Sequence, residues 1–360
     1  MQKFICAAEI YTGRGSLARL ENLVRGKLMI VTDPYFMKNK TAERLAKLSK
    51  AEQVAYFDEV TPDPAVTLAA RGAQAVQSFQ PQTVIALGGG SAMDCAKAMV
   101  YFSRCPVKLI AVPTTSGSGS EVTDFAILTH NGVKHPLVDD KLVPNVAILD
   151  ADLLDGLPKS LIADTGFDVL SHALEAAVAT GANAITDALA QSGFSIVLAH
   201  LEESFGGNTQ VRQQVHEASC MAGIAFSQAG LGLCHALSHS LGGLYHIPHG
   251  RLNAILLPAV VEFNAQMAAE KYADVARFAG LGGASDTMAV RSLKNTLIRL
   301  RKQLGLPASL KDAGVDVGKL SADIPAICKT ALADACIATN PVPVTEKDIV
   351  NILQQVSGRG

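Results

Sequence analysis

The sequence predicts an α/β protein with a parallel β-sheet in its N-terminal domain and an all-helical C-terminal domain. Short apolar runs alternate with helical patterns up to residue 150, and Ala-rich helical patterns without strand-like runs fill the chain from residue 160 onward. The length of 360 residues also suits two domains of ordinary size. We place the boundary near Leu157-Pro158, which gives domains 1–156 and 157–360.

The strands of the N-terminal domain are predicted from apolar runs that end at turns or glycines. A parallel sheet covered by helices has strands of this kind because neither of its faces meets water. The predicted strands are residues 26–33, 54–60, 83–91, 108–115 and 145–150. The helices predicted between them are residues 37–50, 66–79 and 92–102.

Ala-rich segments with apolar residues at helical spacing define the C-terminal domain. The predicted helices are residues 160–178, 184–204, 211–228, 233–246, 251–276, 287–304, 319–336 and 345–356. A cleft between two domains is a common place for a ligand site, so we expect the functional residues of both domains to meet there.

Composition and charge exclude several classes of function. Hydrophobic residues make up 49% of the chain and the net charge is −2, which argues against disorder and against nucleic-acid binding. No apolar run approaches the roughly 20 residues of a membrane helix, and the N-terminus with Glu9 lacks the apolar segment of a secretory signal. Seven cysteines without a CxxC pair suit the reducing cytoplasm. Charged residues are only 18%, which predicts subunit contacts in a homodimer or larger homo-oligomer.

A glycine-rich turn after a buried strand is the first candidate site. Gly88, Gly89, Gly90 and Ser91 stand where this strand meets the next helix. Glycines let backbone N–H groups approach a pyrophosphate, and the N-terminus of the helix adds positive charge. The spacing is not the GxGxxG fingerprint, because Met93 stands in the place of the last glycine, so a tight turn is the alternative interpretation.

A second polar loop, residues 114–123, follows the next buried strand and is rich in Thr, Ser and Gly. A solvated linker can have the same composition. Two such loops at the carboxyl ends of successive strands, however, lie where nucleotides bind in α/β sheets. The two loops together therefore predict a nucleotide site.

Acidic and imidazole side chains at helical spacing form a candidate metal site. Asp168 and His172 are four residues apart, as are His235 and His239, so each pair lies on one face of a helix. His249 follows in the same stretch. Asp168 and His172 with two of the later histidines would offer one carboxylate and three imidazoles, which suit Fe(II) or Zn(II). Capping or core packing is the alternative for each histidine alone, whereas the whole set favours a metal.

Four motifs carry a resemblance to a known family: GGGSAMDCAKA, PTTSGSGSEVT, FDVLSHALEA and CHALSHSLGGLYHIPHG. Over essentially its whole length the chain resembles the iron-dependent (group III) alcohol dehydrogenase family, and most closely its branch of propanol and ethanol dehydrogenases from bacterial microcompartments. The resemblance implies a Rossmann-like domain followed by an all-helical metal-binding domain, the dehydroquinate synthase-like fold. It also implies NAD(H) and Fe(II) as cofactors, with Zn(II) as the alternative metal.

The resemblance further implies roles for single residues. The implied metal ligands are Asp168, His172, His235 and His249, and His239 is linked to proton transfer. The implied cofactor-binding residues are Asp33, Gly89, Gly90, Ser91, Asp94, Thr114, Thr115, Ser118, Thr123 and Lys134. The implied substrate-pocket residues are Phe125, Phe226 and Cys336. A carboxylate at Asp33 would repel the 2′-phosphate of NADP, so NAD is the expected dinucleotide.

The charges around the predicted metal site indicate a small neutral substrate. Between Asp168 and His249 the sequence has no Lys and a single Arg, Arg212, whereas an anionic substrate would need several cations. We therefore predict the interconversion of short primary alcohols, such as ethanol or propanol, with their aldehydes. A polyol dehydrogenase of the same fold is an alternative, as is a metal-dependent lyase or hydrolase without redox activity. The expected location is the cytoplasm, with a bacterial microcompartment and its proteins as a further option.

Overall fold

The structure, a computed structural model, describes residue 4 and residues 8–130 and 133–358. It divides into two compact units, the first ending at Leu157 and the second beginning at Pro158. The strands are β1 Glu9–Thr12, β2 Lys27–Val31, β3 Gln53–Phe57, β4 Thr83–Gly88, β5 Lys108–Pro113, β6 Phe125–His130, β7 Val133–Val138 and β8 Val146–Leu149. The helices are α1 Leu20–Leu23, α2 Pro34–Lys38, α3 Thr41–Ser49, α4 Val66–Phe79, α5 Gly90–Ser103, α6 Lys159–Val178, α7 Ala184–Gly206, α8 Arg212–Ala229, α9 Leu233–Tyr245, α10 His249–Phe278, α11 Asp286–Gln303, α12 Val317–Leu332 and α13 Glu346–Val356.

The first unit is built on a six-stranded sheet in the order β1-β8-β5-β4-β2-β3, and every strand pair in it is parallel. Neighbouring residues of a strand point to opposite faces, so Val84 belongs to the apolar cluster on one face and Ile85 to the cluster on the other. The strand order reverses between β2 and β4. In sheets of this kind, ligands bind beyond the carboxyl ends of the strands at such a reversal.

Three strands, β1, β6 and β7, lie outside the predicted set. β1 is a four-residue edge strand, and β6 and β7 form an antiparallel hairpin of their own. β6 alternates between buried and half-buried residues, and Pro136 interrupts the apolar pattern of β7. Neither strand is therefore a continuous apolar run, which is the signal that predicts the central strands.

Helix α6 is the centre of the second unit. Its residues from Ile162 to Val178 are almost all buried, because α7, α8 and α10 pack around it. Residues 158–358 contain no strand, which confirms the predicted all-helical character. The helix predicted for residues 319–336 is too long, because α12 ends at Leu332 and Asp334 caps a separate 3-10 helix, Ala335–Thr339.

Two helices, α7 and α10, are long and apolar enough to cross a membrane by length and composition alone. Neither helix is a continuous apolar run, since Asp187 lies in α7 and Arg251 in α10. A third candidate arises only if two segments are counted as one span. They are Thr209–Ala229, which contains α8, and α9, and a bend of 102° separates them. In α10, 67% of the most apolar window is buried inside the protein, where the helix packs against α6 and α11.

Candidate active site

The two polar loops of the first unit touch each other beyond the ends of β4 and β5. A Cβ atom built on Gly89 would lie 3.3 Å from Thr115 Oγ1, and one built on Gly90 would lie 3.1 Å from Ser118 Cβ. Side chains at either glycine would crowd the space between the loops. Because α5 begins at Gly90, the glycines leave the N-terminus of this helix open to an anion.

Asp33, Ser91 and Lys134 lie around the same glycines. Asp33 follows β2 and caps α2, and a Cβ on Gly88 would lie 3.9 Å from its Oδ2. Lys134 Nζ forms a 2.6 Å ion pair with Asp63, whose backbone N–H donates to Ser91 Oγ at 3.3 Å. Asp63 is absent from the predicted set. The closeness of Asp33 to Gly88 shows that the loops after β2 and β4 approach each other at the reversal of strand order.

Both carboxylate oxygens of Asp94 accept hydrogen bonds from other groups of the protein. Its Oδ1 accepts a hydrogen bond from Ser120 Oγ at 2.7 Å, and its Oδ2 accepts one from the backbone N–H of Ile127 at 3.1 Å. Burial raises the pKa of this carboxyl group. The contact with Ser120 links α5 to the second loop, and the contact with Ile127 links α5 to β6. In the second loop, Thr114 also donates its backbone N–H to Gly88 O at 2.9 Å.

Lys97 is a functional candidate that sequence reasoning missed. Its Nζ donates to Thr123 O, Thr123 Oγ1 and Phe125 O, each at 2.9 Å, and the side chain is almost wholly buried. Burial lowers its pKa to about 8. A lysine within the apolar stretch of α5 is the sequence signal that could have identified it. Lys97 fixes the segment that carries Thr123 and Phe125.

The four predicted metal ligands converge in the second unit. Asp168 and His172 lie on α6, His235 lies on α9, and His249 is the first residue of α10. Asp168 Oδ1 is 3.8 Å from Nε2 of His172, 3.8 Å from Nε2 of His235 and 3.5 Å from Nε2 of His249. One carboxylate oxygen therefore faces three imidazole nitrogens, an arrangement that can hold a divalent cation.

Glu175 and Asn253 hold these ligands in place, and neither belongs to the predicted set. Glu175 Oε2 lies 2.6 Å from Nδ1 of His235, and its Oε1 accepts the backbone N–H of Cys234 at 2.7 Å. Asn253 Nδ2 donates to Asp168 Oδ1 at 2.9 Å. A carboxylate on the far nitrogen of a metal-ligating histidine orients its ring and fixes its tautomer.

A close approach of two helices brings His249 to Asp168. Arg251 donates from Nε and Nη2 to the two carboxylate oxygens of Asp164, at 3.1 and 2.9 Å. Gly250 stands between His249 and Arg251, and a Cβ atom on it would overlap the backbone oxygen of Asp164. Only glycine permits this contact between α6 and the start of α10.

His239 lies beside the cluster rather than within it. Its ring stacks on that of His249, with centroids 5.2 Å apart and an angle of 18° between the planes. Its Nδ1 lies 2.8 Å from Oδ2 of Asp334, a residue that the sequence did not single out. Burial raises the pKa of Asp334, but the imidazole outweighs this and lowers the pKa to about 2.

The three predicted pocket residues lie in different surroundings. Phe226 is buried and stacks on the ring of His172 at 4.2 Å. Cys336 lies in the 3-10 helix, and its backbone N–H donates to Asp334 Oδ1 at 2.9 Å. Phe125 belongs to the first unit, where it begins β6. The common pocket of these residues stays a prediction.

Known families and relatives match the chain along its length. The family described as "Iron-containing alcohol dehydrogenase" matches residues 7–151, and the C-terminal part of the Fe-containing alcohol dehydrogenase family matches residues 162–357. The chain belongs to the iron-containing alcohol dehydrogenase family. The 1-propanol dehydrogenase PduQ of Salmonella typhimurium is 40% identical, over 99% of this chain and 100% of that protein. The NADPH-dependent butanol dehydrogenase of Clostridium saccharobutylicum is 37% identical, over 99% and 98%.

A solved structure agrees with the fold of the chain. The sulfoacetaldehyde reductase of Bifidobacterium kashiwanohense, solved in complex with NAD+, has a TM-score of 0.91 and 26% identity, with 100% of both chains covered. The predicted family, fold class and alcohol dehydrogenase activity are thus confirmed, and so are NAD(H) and iron as cofactors.

The residues present fit both cofactors. Gly89 and Gly90 leave a cradle for phosphate that side chains would fill. Nε2 of His235 is buried without a hydrogen-bond partner in the described part of the chain. Burial lowers the pKa of His235, but Asp168 and Glu175 outweigh it and raise the pKa to about 9. The two carboxylates therefore favour a positive charge at His235, which a metal ion supplies, whereas burial and the neighbouring imidazoles lower the pKa of His249.

Proposed function

We propose that this chain interconverts short-chain primary alcohols and aldehydes with NAD(H), and that Asp168, His172, His235 and His249 hold the iron. The convergence of three imidazole nitrogens on one carboxylate oxygen, at 3.5 to 3.8 Å, carries this proposal. Bound iron would supply a Lewis acid for the alcohol or aldehyde oxygen, and NAD(H) the hydride acceptor or donor.

The first unit is proposed to bind the dinucleotide at the carboxyl ends of β2, β4 and β5. The proposed contacts are Asp33, Gly89, Gly90, Ser91, Thr114, Thr115, Ser118, Thr123 and Lys134. The open cradle at Gly89 and Gly90 supports the pyrophosphate position. Because both oxygens of Asp94 are engaged by the protein, we assign it the task of holding the second loop in place. The Asp33 carboxylate supports NAD over NADP.

His239 is proposed to move the proton of the alcohol hydroxyl. Asp334 engages its Nδ1, which leaves Nε2 to accept or give the proton. The side chain of His239 is 26% exposed, so the proton has a route to solvent. Asp334 would fix the tautomer and the orientation of the ring, as carboxylates beside catalytic histidines do.

The substrate is proposed to be small and uncharged. Arg212 is the only Lys or Arg in the sequence between Asp168 and His249, so that stretch offers little charge to a phosphate or carboxylate. Phe226, stacked on His172, adds an apolar wall beside the metal ligands. With Phe125 and Cys336 it is proposed to line the pocket, which favours an alkyl chain over several hydroxyl groups.

NADH oxidation by the iron-loaded protein, prepared without oxygen, tests this assignment. We expect kcat/KM for propanal and butanal to exceed that for dihydroxyacetone by about tenfold or more, because added hydroxyl groups lack partners in the pocket. A preference for dihydroxyacetone would indicate a polyol dehydrogenase instead. Failure to oxidise NADH with any of these carbonyl compounds would contradict the redox assignment.

We also propose that the chain forms a homo-oligomer and works in the cytoplasm. The low share of charged residues, 18%, supports subunit contacts. So do the exposed side chains of Met267, Phe278 and Met288 on α10 and α11. Resemblance to the microcompartment branch supports encapsulation. Light scattering on the purified protein tests the oligomer, and an unchanged monomer at high concentration would contradict it.

A further inference from the structure

We propose that His239, Asp334 and Cys336 form a second cation site, separate from the four iron ligands, that takes a thiophilic divalent cation such as Zn²⁺ or Cd²⁺. Each residue offers one ligand atom, and these three atoms all lie within 4.8 Å of one another. Two features support the site: the backbone that holds the three residues together, and the combination of nitrogen, oxygen and sulfur donors.

The backbone holds the three groups together. Asp334 caps the 3-10 helix Ala335–Thr339, and Cys336 lies in the first turn of that helix. Asp334 Oδ1 accepts the backbone N–H of Cys336 at 2.9 Å, while its Oδ2 lies 2.8 Å from Nδ1 of His239. The side chains of His239 and Asp334 are 26% and 19% exposed, so a cation can reach them from solvent.

The donor set selects a soft or borderline cation. An imidazole nitrogen, a carboxylate oxygen and a thiolate sulfur are all common ligands of zinc, and water can complete four-coordination. The four iron ligands offer only nitrogen and oxygen, so the sulfur distinguishes the second site and favours thiophilic metals there. On binding, Cys336 would release its thiol proton to solvent, and the proton between His239 Nδ1 and Asp334 would move to Nε2 of the ring as metal bonds replace that hydrogen bond, without a change of oxidation state.

Occupation of this site would inhibit the enzyme. A cation bound to His239 and Asp334 would fix the imidazole ring and remove its carboxylate partner. The ring also stacks on His249, so the cation would lie beside the iron site. This inhibition rests on the proposed role of His239 in proton transfer, whereas cation binding depends only on the three ligands.

Cadmium titration of the iron-loaded protein tests the site, with Cd²⁺ as the probe. After desalting, the iron and cadmium per chain are counted, and ultraviolet absorption reports cadmium–thiolate bonds. We expect one added cadmium ion per chain with the iron retained, thiolate absorption, and loss of propanal reduction. Cys336→Ser and Asp334→Asn should each weaken cadmium binding by about tenfold or more and lower the absorption change. Cys105→Ser, a thiol in the first unit, is the matched control and should leave both unchanged.

Two results would overturn the second site. One is release of iron in proportion to the cadmium bound, which would place cadmium at the iron ligands. The other is cadmium affinity and absorption that neither Cys336→Ser nor Asp334→Asn reduces. Metal counts and absorption do not require activity. If the protein has no alcohol dehydrogenase activity, the proposed function is refuted, but these two measurements still decide the second site.

Discussion

Glu175 Oε2 lies 2.6 Å from Nδ1 of His235, and both side chains are almost completely buried. The same carboxylate accepts the backbone N–H groups of Gly232 and Cys234, at 3.1 and 2.7 Å. One buried charge therefore stabilises the N-terminus of α9 and turns the ring of His235 so that Nε2 faces Asp168. The proposed metal ligand and the helix that carries it share one support.

Glu175→Gln is expected to weaken iron binding by about 10–100-fold, because an amide is a weaker partner for His235 Nδ1 than a carboxylate. The measurement is iron retained per chain after dialysis against a graded series of chelator concentrations. Glu202→Gln, a change at an exposed position of α7, is the control. Iron retention equal to that of the unchanged protein would refute the supporting role of Glu175.

Gly250→Ala is expected to destabilise the fold by about 1–3 kcal/mol, because the new Cβ would overlap a backbone oxygen of α6 that cannot rotate away. Gly243→Ala is the matched control. A Cβ there meets nothing within 4 Å, so it should stabilise α9 by about 0.5–1 kcal/mol. Urea unfolding of both variants measures the two changes. Equal stability of the two variants would show that the approach at Gly250 is not tight.

Asp33→Gly is expected to raise kcat/KM for NADP+ relative to NAD+ by about tenfold, since it removes a negative charge from the proposed ribose position. Asp33 also caps α2, and glycine retains most of that stability. Asp33→Asn keeps a capping side chain and should shift the preference in the same direction. An unchanged ratio in both variants would show that Asp33 does not contact the ribose.

Glu121→Gln is expected to change how stability depends on pH. Burial raises the pKa of Glu121 to about 7 from its ordinary 4.5, so between these values the folded chain binds more protons than the unfolded chain. Glu121 therefore lowers stability as pH rises through this range, and glutamine removes that loss. Urea midpoints at pH 5 and pH 8 measure it. Relative to the unchanged protein, the variant should be more stable at pH 8 than at pH 5. The exposed Glu52→Gln change should show no such difference. A difference that is the same at both pH values would contradict a titrating Glu121.

The sequence predicts the regular parts of this fold well because their patterns are local. Buried apolar runs identify β2, β4, β5 and β8, and helical spacing identifies the helices from α6 onward to within a few residues. The hairpin of β6 and β7 escapes prediction because half-buried strands resemble a polar loop. The end of α12 at Leu332 is not predicted, because the apolar pattern continues past it. The capping interaction of Asp334 marks the start of the next helix instead.

The supports of the site depend on contacts between distant parts of the chain. Asp334 is 95 residues from His239, so no local pattern joins them. Glu175 is different, since it lies seven residues after Asp168 on the buried face of α6. A carboxylate at that spacing in an apolar helix is a signal that sequence reasoning could have used.

The iron content and activity of His249→Ala test the central claim most directly. His246→Asn is the control, because His246 is exposed and has a left-handed backbone that asparagine tolerates. We predict that His249→Ala folds, loses its iron and reduces propanal about 100-fold or more slowly, whereas His246→Asn retains both properties. Full propanal reduction by an iron-free His249→Ala protein would contradict the claim that these residues form the catalytic metal site.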